Sequence, residues 1–148
     1  MSIQVGDTLP EGRFTVMNAD GPGSDSIDDI FGGKKVVLFS VPGAFTPTCS
    51  KDHLPGFIEQ ADALKAKGVD TIACMAVNDV FVMDAWGKQN RAEDKVVMLA
   101  DGSGTYAKAL GLELDLSDRG LGVRSMRFAL VVDDKTVIQA FIEEGGAF

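Results

Sequence analysis

Short apolar runs alternate with helical patterns along this chain, and that alternation constrains the fold more than any other feature. The run KVVLFSV at residues 35–41 is almost continuously apolar, as are VDTIACMAV at residues 69–77 and KVVMLAD at residues 95–101. Runs of this length are typical of strands that are covered on both faces. They predict a sheet core with helices on its two sides.

Helical patterns lie between these runs. Apolar residues recur every three or four positions at Leu54, Phe57, Ile58, Ala61 and Leu64, and Gly68 then ends the pattern. This spacing predicts an amphipathic helix with a glycine stop. VFVMDAWGKQ at residues 80–89 and GTYAKALGL at residues 104–112 predict two more helices.

The remaining segments complete a predicted α/β fold. RFTVMN at residues 13–18 predicts a strand, whereas ADGPGSDS at residues 19–26 and LSDRGLGV at residues 116–123 have the composition of surface loops. SMRFALVVDD and KTVIQAFIEE, at residues 125–144, predict an antiparallel hairpin across an acidic turn. We therefore expect one α/β domain over residues 1–148, with a mixed central sheet flanked by helices.

Composition excludes several classes of function. The net charge of the 148 residues is −8, which argues against binding to nucleic acid or to an anionic membrane surface. The longest charge-free stretch, residues 36–50, contains two prolines and is shorter than the ~20 apolar residues of a membrane helix. The first residues resemble neither a secretory signal nor a transit peptide, so we expect a cytoplasmic location.

The cysteine and histidine content argues against metal chemistry. Two cysteines, Cys49 and Cys74, are too few for a disulfide framework, and one histidine, His53, leaves no zinc spacing. We expect no metal and no cofactor. His53 follows Cys49 by four positions, whereas a Cys-His dyad usually takes its histidine from a distant part of the chain, so we expect His53 at a helix surface or an interface.

Cys49 lies where a thiolate is favoured. The segment VPGAFTPTCS follows the first buried strand, at the sheet edge where open α/β folds bind ligands. Thr46 and Pro47 suit the N-cap and first position of a helix. Cys49 would then fall in the first turn, where free N–H groups and the helix dipole lower a thiol pKa. The simpler alternative is a small buried side chain, as most cytosolic cysteines are.

The same segment resembles a known family. PGAFTPTC fits the peroxiredoxin pattern PxxxTxxC at Pro42, Thr46 and Cys49, and KDHLPGF, VNDVFVMDAWG, LGVRSMRFAL and EEGGAF look like the type II, peroxiredoxin-5-like subgroup. The resemblance spans nearly the whole chain. It implies a thioredoxin-like fold, a thiol peroxidase activity on hydrogen peroxide and organic hydroperoxides, and a homodimer.

The resemblance also implies roles for individual residues. Cys49 would be the peroxidatic cysteine, Thr46 the hydroxyl at the thiolate and peroxide, and Arg127 the guanidinium of the site. The pocket would be formed by Pro42, Gly43, Phe45 and Thr48. If Thr46 caps the helix, however, its hydroxyl is not fully available to the substrate.

Arg124 and Arg127 are three positions apart on one predicted strand, so they should point to opposite faces. The RF pair before the apolar run matches the family at Arg127, which leaves Arg124 as a candidate for the rim of the site. Without the resemblance, either arginine reads as a solvated strand charge.

Recycling of an oxidised Cys49 needs a second thiol. Cys74 is the one internal candidate, but it lies in an apolar run and also suits a buried strand position. We expect an external thiol instead, and the resemblance implies glutathione with glutaredoxin, or thioredoxin. Relatives continue past EEGGAF into a further helix, so the resemblance implies a C-terminal helix missing after Phe148.

Two alternatives belong to other functional classes. A thiol-disulfide oxidoreductase would carry CxxC, but Asp52 occupies the second cysteine position. A non-catalytic binding or chaperone module on the same scaffold predicts an ordinary thiol pKa and no peroxide consumption.

Overall fold

The structure is a computed structural model that describes residues 2–46, 54–92 and 95–142. In the helix that begins at Leu54, side chains are described from residue 56 onward. The strands are β1 (Arg13–Asn18), β2 (Gly21–Ser26), β3 (Lys35–Ser40), β4 (Thr71–Ala76), β5 (Val97–Ala100), β6 (Glu113–Leu116), β7 (Gly122–Ser125), β8 (Phe128–Asp133) and β9 (Thr136–Ile142). The helices are α1 (Ile27–Phe31), α2 (Leu54–Ala66), α3 (Val80–Gln89) and α4 (Thr105–Leu110).

The large sheet has the order β2-β1-β5-β4-β3-β8-β9. β3, β4 and β5 are parallel, whereas β8 runs antiparallel to β3 and β9 antiparallel to β8. The predicted mixed sheet and its terminal hairpin are confirmed. Val36 and Leu38 of β3 pack into one apolar layer and Val37 and Phe39 into the other, which explains why its sequence is apolar on both faces.

Helices cover both faces of this sheet. On one face, α2 and α3 pack through residues such as Ala61, Met83 and Trp86. On the other face, α1 and α4 bury Phe31 and Tyr106, among others. The chain thus forms two apolar layers separated by the sheet, and the loops that follow β3, β4 and β5 meet at one edge.

Two of the loop predictions are wrong in part. Residues 21–26 form β2, which pairs along its whole length with β1. Residues 113–116 and 122–125 form the separate β6–β7 pair, joined through a 3-10 turn at Ser117–Arg119. In both cases neighbouring strands supply the hydrogen bonds that the Gly- and Ser-rich composition does not predict.

The helix α1 was not predicted. Its start carries a capping box, in which the Ser26 hydroxyl accepts from Asp29 N–H and the Asp29 carboxylate accepts from Ser26 N–H. These backbone and side-chain hydrogen bonds to Ser26 lower the pKa of Asp29. The Ser-x-x-Asp spacing was the sequence signal for this helix.

Within the described ranges, every helix is too short or too polar to cross a membrane.

Candidate active site

The site begins at the loop of residues 41–46, directly after β3. The N–H of Val41 donates to the carbonyl oxygen of Met75 at 3.3 Å, which continues the pairing with β4 by one residue. The N–H of Ala44 donates to Oδ1 of Asn78, 2.9 Å away, in the loop that follows β4. The neighbouring parallel strand therefore holds this loop at both points.

Phe45 sits in this loop with a φ of 65°, in the left-handed region that disfavours residues with a Cβ. Its side chain is 48 % exposed, and its ring centroid lies 6.4 Å from that of the buried Trp86 of α3. The tight turn reverses the chain just before Thr46. A non-glycine residue in this conformation stores local strain that the anchored loop must maintain.

The hydroxyl of Thr46 donates to the carbonyl oxygen of Gly43 at 2.7 Å. A carbonyl can only accept, so the hydroxyl proton is committed to this bond. The oxygen lone pairs remain available to accept a hydrogen bond from another group. Thr46 is thus oriented by its own loop and arranged as an acceptor.

Arg127 lies near the start of this loop, although the two are distant in sequence. The β3–β8 register pairs Ser40 with Phe128, so Arg127 lies opposite Val41, at the start of the loop. Only 5 % of its surface is exposed. An arginine at such a strand position is more often a solvated surface charge. The burial of Arg127 excludes that interpretation here.

Arg127 borders a cavity of about 400 Å³ on the α2 side of the sheet. Its other walls are apolar, formed by Phe39, Phe57, Phe128, Ala129, Phe141 and Ile142. Phe39 of β3 and Phe57 of α2 stack with centroids 3.9 Å apart and planes 6° from parallel. The stack fixes α2 against β3 and gives the guanidinium a largely apolar surrounding.

Arg124, which the sequence left as a candidate for the rim of the site, contacts the loop. Arg124 belongs to β7, whereas Arg127 lies between β7 and β8, so the expectation that both share one strand is wrong. The two-residue break at 126–127 separates them, and the alternation of faces does not apply. Arg124 Nη1 donates to the carbonyl oxygen of Pro42 at 3.2 Å.

Four residues for which the sequence predicts a position or a role lie outside the described residues. These are Pro47, Thr48, Cys49 and His53. Pro42, Gly43, Phe45 and Thr46 share the loop after β3, and the structure brings Arg127 to the same edge.

Cys74 lies elsewhere. It is fully buried in β4, paired with Phe39 of β3, and it packs in the apolar layer beneath α2 and α3. An external thiol does not reach a side chain in that position. Over the ranges 2–46, 54–92 and 95–142, no group of three His, Cys, Asp or Glu side chains is placed to hold a metal ion.

Comparison with known proteins agrees with this geometry. The redoxin family profile matches residues 4–147. Peroxiredoxin-2C of Oryza sativa subsp. japonica is 58 % identical over 147 residues, which cover 99 % of this chain and 91 % of the relative. Peroxiredoxin-2B of Arabidopsis thaliana is 56 % identical over the same shares of the two chains. The chain belongs to the type II peroxiredoxins.

A solved structure supports the same family. Reduced Prx3 from Vibrio vulnificus, in complex with hydrogen peroxide, superimposes with a TM-score of 0.94 at 49 % identity, over 99 % of this chain and 91 % of that one. The peroxiredoxin described here thus has the expected thioredoxin-like fold. It is a thiol peroxidase, an oxidoreductase that reduces peroxides at the expense of thiols.

The anchoring of the peroxiredoxin loop by Asn78 gives a first prediction. Asn78→Ala removes the acceptor of the buried Ala44 N–H. Each 1.4 kcal/mol by which the free energy of local opening falls makes amide exchange about tenfold faster. We expect exchange at Ala44 to accelerate by about tenfold, measured by NMR or mass spectrometry. Asn90→Ala, which removes a bond to the Trp86 carbonyl, is the control and should leave the Ala44 rate unchanged. An unchanged Ala44 rate in Asn78→Ala would show that the loop does not depend on this bond.

Proposed function

We propose that this peroxiredoxin reduces hydrogen peroxide and alkyl hydroperoxides through Cys49. The thiolate attacks one peroxide oxygen, an S–O bond forms, and the O–O bond breaks. The attacked oxygen stays on the sulfur with its hydrogen as a sulfenic acid, and the second oxygen leaves as hydroxide or alkoxide, which takes a proton from solvent to become water or an alcohol. The observation that carries the proposal is the buried guanidinium of Arg127 opposite Val41, where the loop that contains Thr46 begins.

Arg127 suits the charge that this reaction creates. Negative charge moves from the sulfur to the leaving oxygen, and fixed donors aimed at that oxygen stabilise the transition state more than the ground state. A guanidinium is permanently charged and offers several N–H donors in one plane. Its burial strengthens such an interaction, because a charge with 5 % exposure is little screened by water.

Thr46 suits the opposite side of the substrate. Because its proton is committed to Gly43, its oxygen can accept a hydrogen bond from the O–H of a hydroperoxide. An acceptor and a cationic donor together orient a small H–O–O–R molecule. Orientation matters here because a lower thiol pKa also lowers nucleophilicity, so pKa alone does not supply the rate.

An external thiol is the reductant that fits the fold. A first thiol condenses with the sulfenic acid, releasing water and leaving a mixed disulfide, and a second thiol then regenerates Cys49. Glutathione with glutaredoxin, or thioredoxin, supplies these two thiols in our proposal. The complete burial of Cys74 favours this route over an internal disulfide.

The proposed assembly comes from the resemblance. We propose a homodimer in the cytoplasm. Phe45, in the loop after β3, and Phe81, in α3, are large apolar side chains at 48 % and 64 % exposure, of the kind that a second copy would cover.

The role of the cysteines has a direct test. Cys49→Ser should lose peroxide consumption almost completely, because the nucleophile is removed, whereas Cys74→Ser should keep it with glutathione and glutaredoxin as reductants. The measurement is the loss of hydrogen peroxide over time. Equal and slow consumption by wild type and Cys49→Ser would contradict the proposal. Loss of turnover in Cys74→Ser with retention of the first reduction would instead assign Cys74 to the resolving step.

Arg127 is tested by removing its charge. We expect Arg127→Gln to lower the rate constant for Cys49 oxidation by about 10²–10³-fold, the usual effect of losing one preorganised donor. Stopped-flow measurement on the reduced protein gives this rate constant. Because Arg127 is buried, the thermal unfolding of the variant must be recorded in parallel. A folded variant that reacts at the wild-type rate would exclude Arg127 from the chemistry.

The apolar cavity beside Arg127 supports larger hydroperoxides as substrates. Phe141→Asp places a charge in its wall, so we expect kcat/KM for cumene hydroperoxide to fall about tenfold relative to that for hydrogen peroxide. Val5→Asp changes another exposed apolar side chain, away from the cavity, and should leave the ratio unchanged. A constant ratio in both variants would show that the cavity does not bind the organic part of the substrate.

A further inference from the structure

Arg124 makes two hydrogen bonds that join separate parts of the chain. Its Nε donates to the carbonyl oxygen of Leu121 at 2.9 Å, within the β6–β7 unit. Its Nη1 donates to the carbonyl oxygen of Pro42 at 3.2 Å, 82 positions away in the sequence. One half-buried guanidinium therefore bridges the small sheet and the loop that carries Thr46.

The loop leaves space for this guanidinium at Gly43. A Cβ on Gly43 would lie 2.7 Å from Nη1 of Arg124 and 3.2 Å from Cγ2 of Thr46. Gly43 is not among the glycines with positive φ, so its backbone conformation accepts an alanine. The glycine is required by the close approach of Arg124 and Thr46, and not by a special turn.

A short series of bonds leads from Arg124 to Thr46. Arg124 holds the carbonyl of Pro42, and the next carbonyl, that of Gly43, accepts the Thr46 hydroxyl at 2.7 Å and the Thr46 N–H at 3.4 Å. The direction of the first carbonyl constrains the plane of the peptide that follows it. Thr46 is thus oriented by a peptide group whose neighbour is held by Arg124.

The residue after Arg124 strengthens this attachment. The hydroxyl of Ser40, at the end of β3, donates to the hydroxyl oxygen of Ser125 at 2.7 Å, and both side chains are fully buried. Ser125 in turn donates to the carbonyl oxygen of Met126 at 3.2 Å. Two consecutive residues of β7 therefore fix the strand end and the first peptide of the loop.

We propose that Arg124 is a positioning residue for peroxide reduction, which acts by holding the Pro42–Gly43 peptide so that Thr46 faces the substrate. The proposal rests on the proposed role of Thr46 and Cys49. It differs from a general electrostatic role, because a nearby positive charge would act by lowering the pKa of the Cys49 thiol. A positioning residue changes the reaction rate of the thiolate and leaves that pKa in place.

Two variants separate position from charge. Arg124→Ala removes both the hydrogen bonds and the charge. Gly43→Ala keeps the charge but displaces the guanidinium from Pro42, because the end of a long side chain moves more easily than the backbone. Arg124→Lys keeps a charge and one donor but loses the fork that reaches Pro42 and Leu121 together. Arg119→Ala, an exposed arginine of the 3-10 turn, is the matched control.

The experiment measures two quantities for each reduced protein. The first is the rate constant for oxidation of Cys49 by hydrogen peroxide, at a pH where the thiol is fully ionised. The second is the pKa of Cys49, from the ultraviolet absorbance of the thiolate against pH. We expect about tenfold slower oxidation in both Arg124→Ala and Gly43→Ala, an intermediate rate in Arg124→Lys, and no change in Arg119→Ala. The pKa of Cys49 should be the same in all of them.

A double variant completes the test. Because Arg124→Ala and Gly43→Ala disrupt the same contact, their combination should be no slower than Gly43→Ala alone. Additive losses would overturn the proposal, since Gly43→Ala would then act on Thr46 independently of Arg124. A wild-type rate in Arg124→Ala would overturn it too, as would a raised Cys49 pKa that accounts for the slower reaction. Each of these outcomes is measured against a wild-type protein that reduces peroxide. A wild-type protein that does not reduce peroxide would instead refute the proposed function.

Discussion

The antiparallel register between β3 and β8 is the constraint on which the candidate site depends. Pairing Ser40 with Phe128 brings Arg127 opposite Val41, although the two residues are distant in sequence. A shift of one residue would move every side chain of β8 to the other face of the sheet and direct the guanidinium away from α2. Such a shift would also exchange the buried Phe128, Leu130 and Val132 with Ala129 and Val131 of the opposite face, so the packing of both apolar layers enforces the geometry of the site.

Burial of a guanidinium next to apolar walls is costly in free energy, because the charge loses part of its hydration. Here Arg127 borders a cavity formed mostly by phenylalanine and isoleucine side chains. In the proposed mechanism this guanidinium is a fixed donor for the negative charge that develops on the leaving oxygen. The stability of the sheet then compensates for the free-energy cost of its burial.

Much of the fold was predictable from the sequence, and the reasons are physical. Apolar runs marked β3 and β4 because both strands are covered on two faces, and regular apolar spacing marked α2 and α3. β2 was missed because GPGSDS has the composition of a loop, and its strand conformation depends on hydrogen bonds to β1. Local sequence carries little information about a partner strand that stabilises an otherwise weak segment.

Only the part of the site that is contiguous in sequence was predictable. The motif after β3 identified the loop, but the bond from Arg124 to Pro42 spans 82 positions and has no periodic signal. The direction of the Thr46 hydroxyl was not predictable from the sequence either. The sequence left open whether this hydroxyl caps a helix or contacts the substrate. The contact with Gly43 depends on the turn at Phe45, whose left-handed backbone no composition would suggest.

The committed proton of Thr46 has a consequence for oxidant selection. An oxygen that can only accept distinguishes molecules by whether they carry an acidic hydrogen. Hydroperoxides satisfy this acceptor, but dialkyl peroxides, whose two oxygens are both substituted, would leave it without a partner in a partly dehydrated site. In the proposed mechanism, the loop therefore selects oxidants through one hydrogen atom, independently of the cavity beside Arg127.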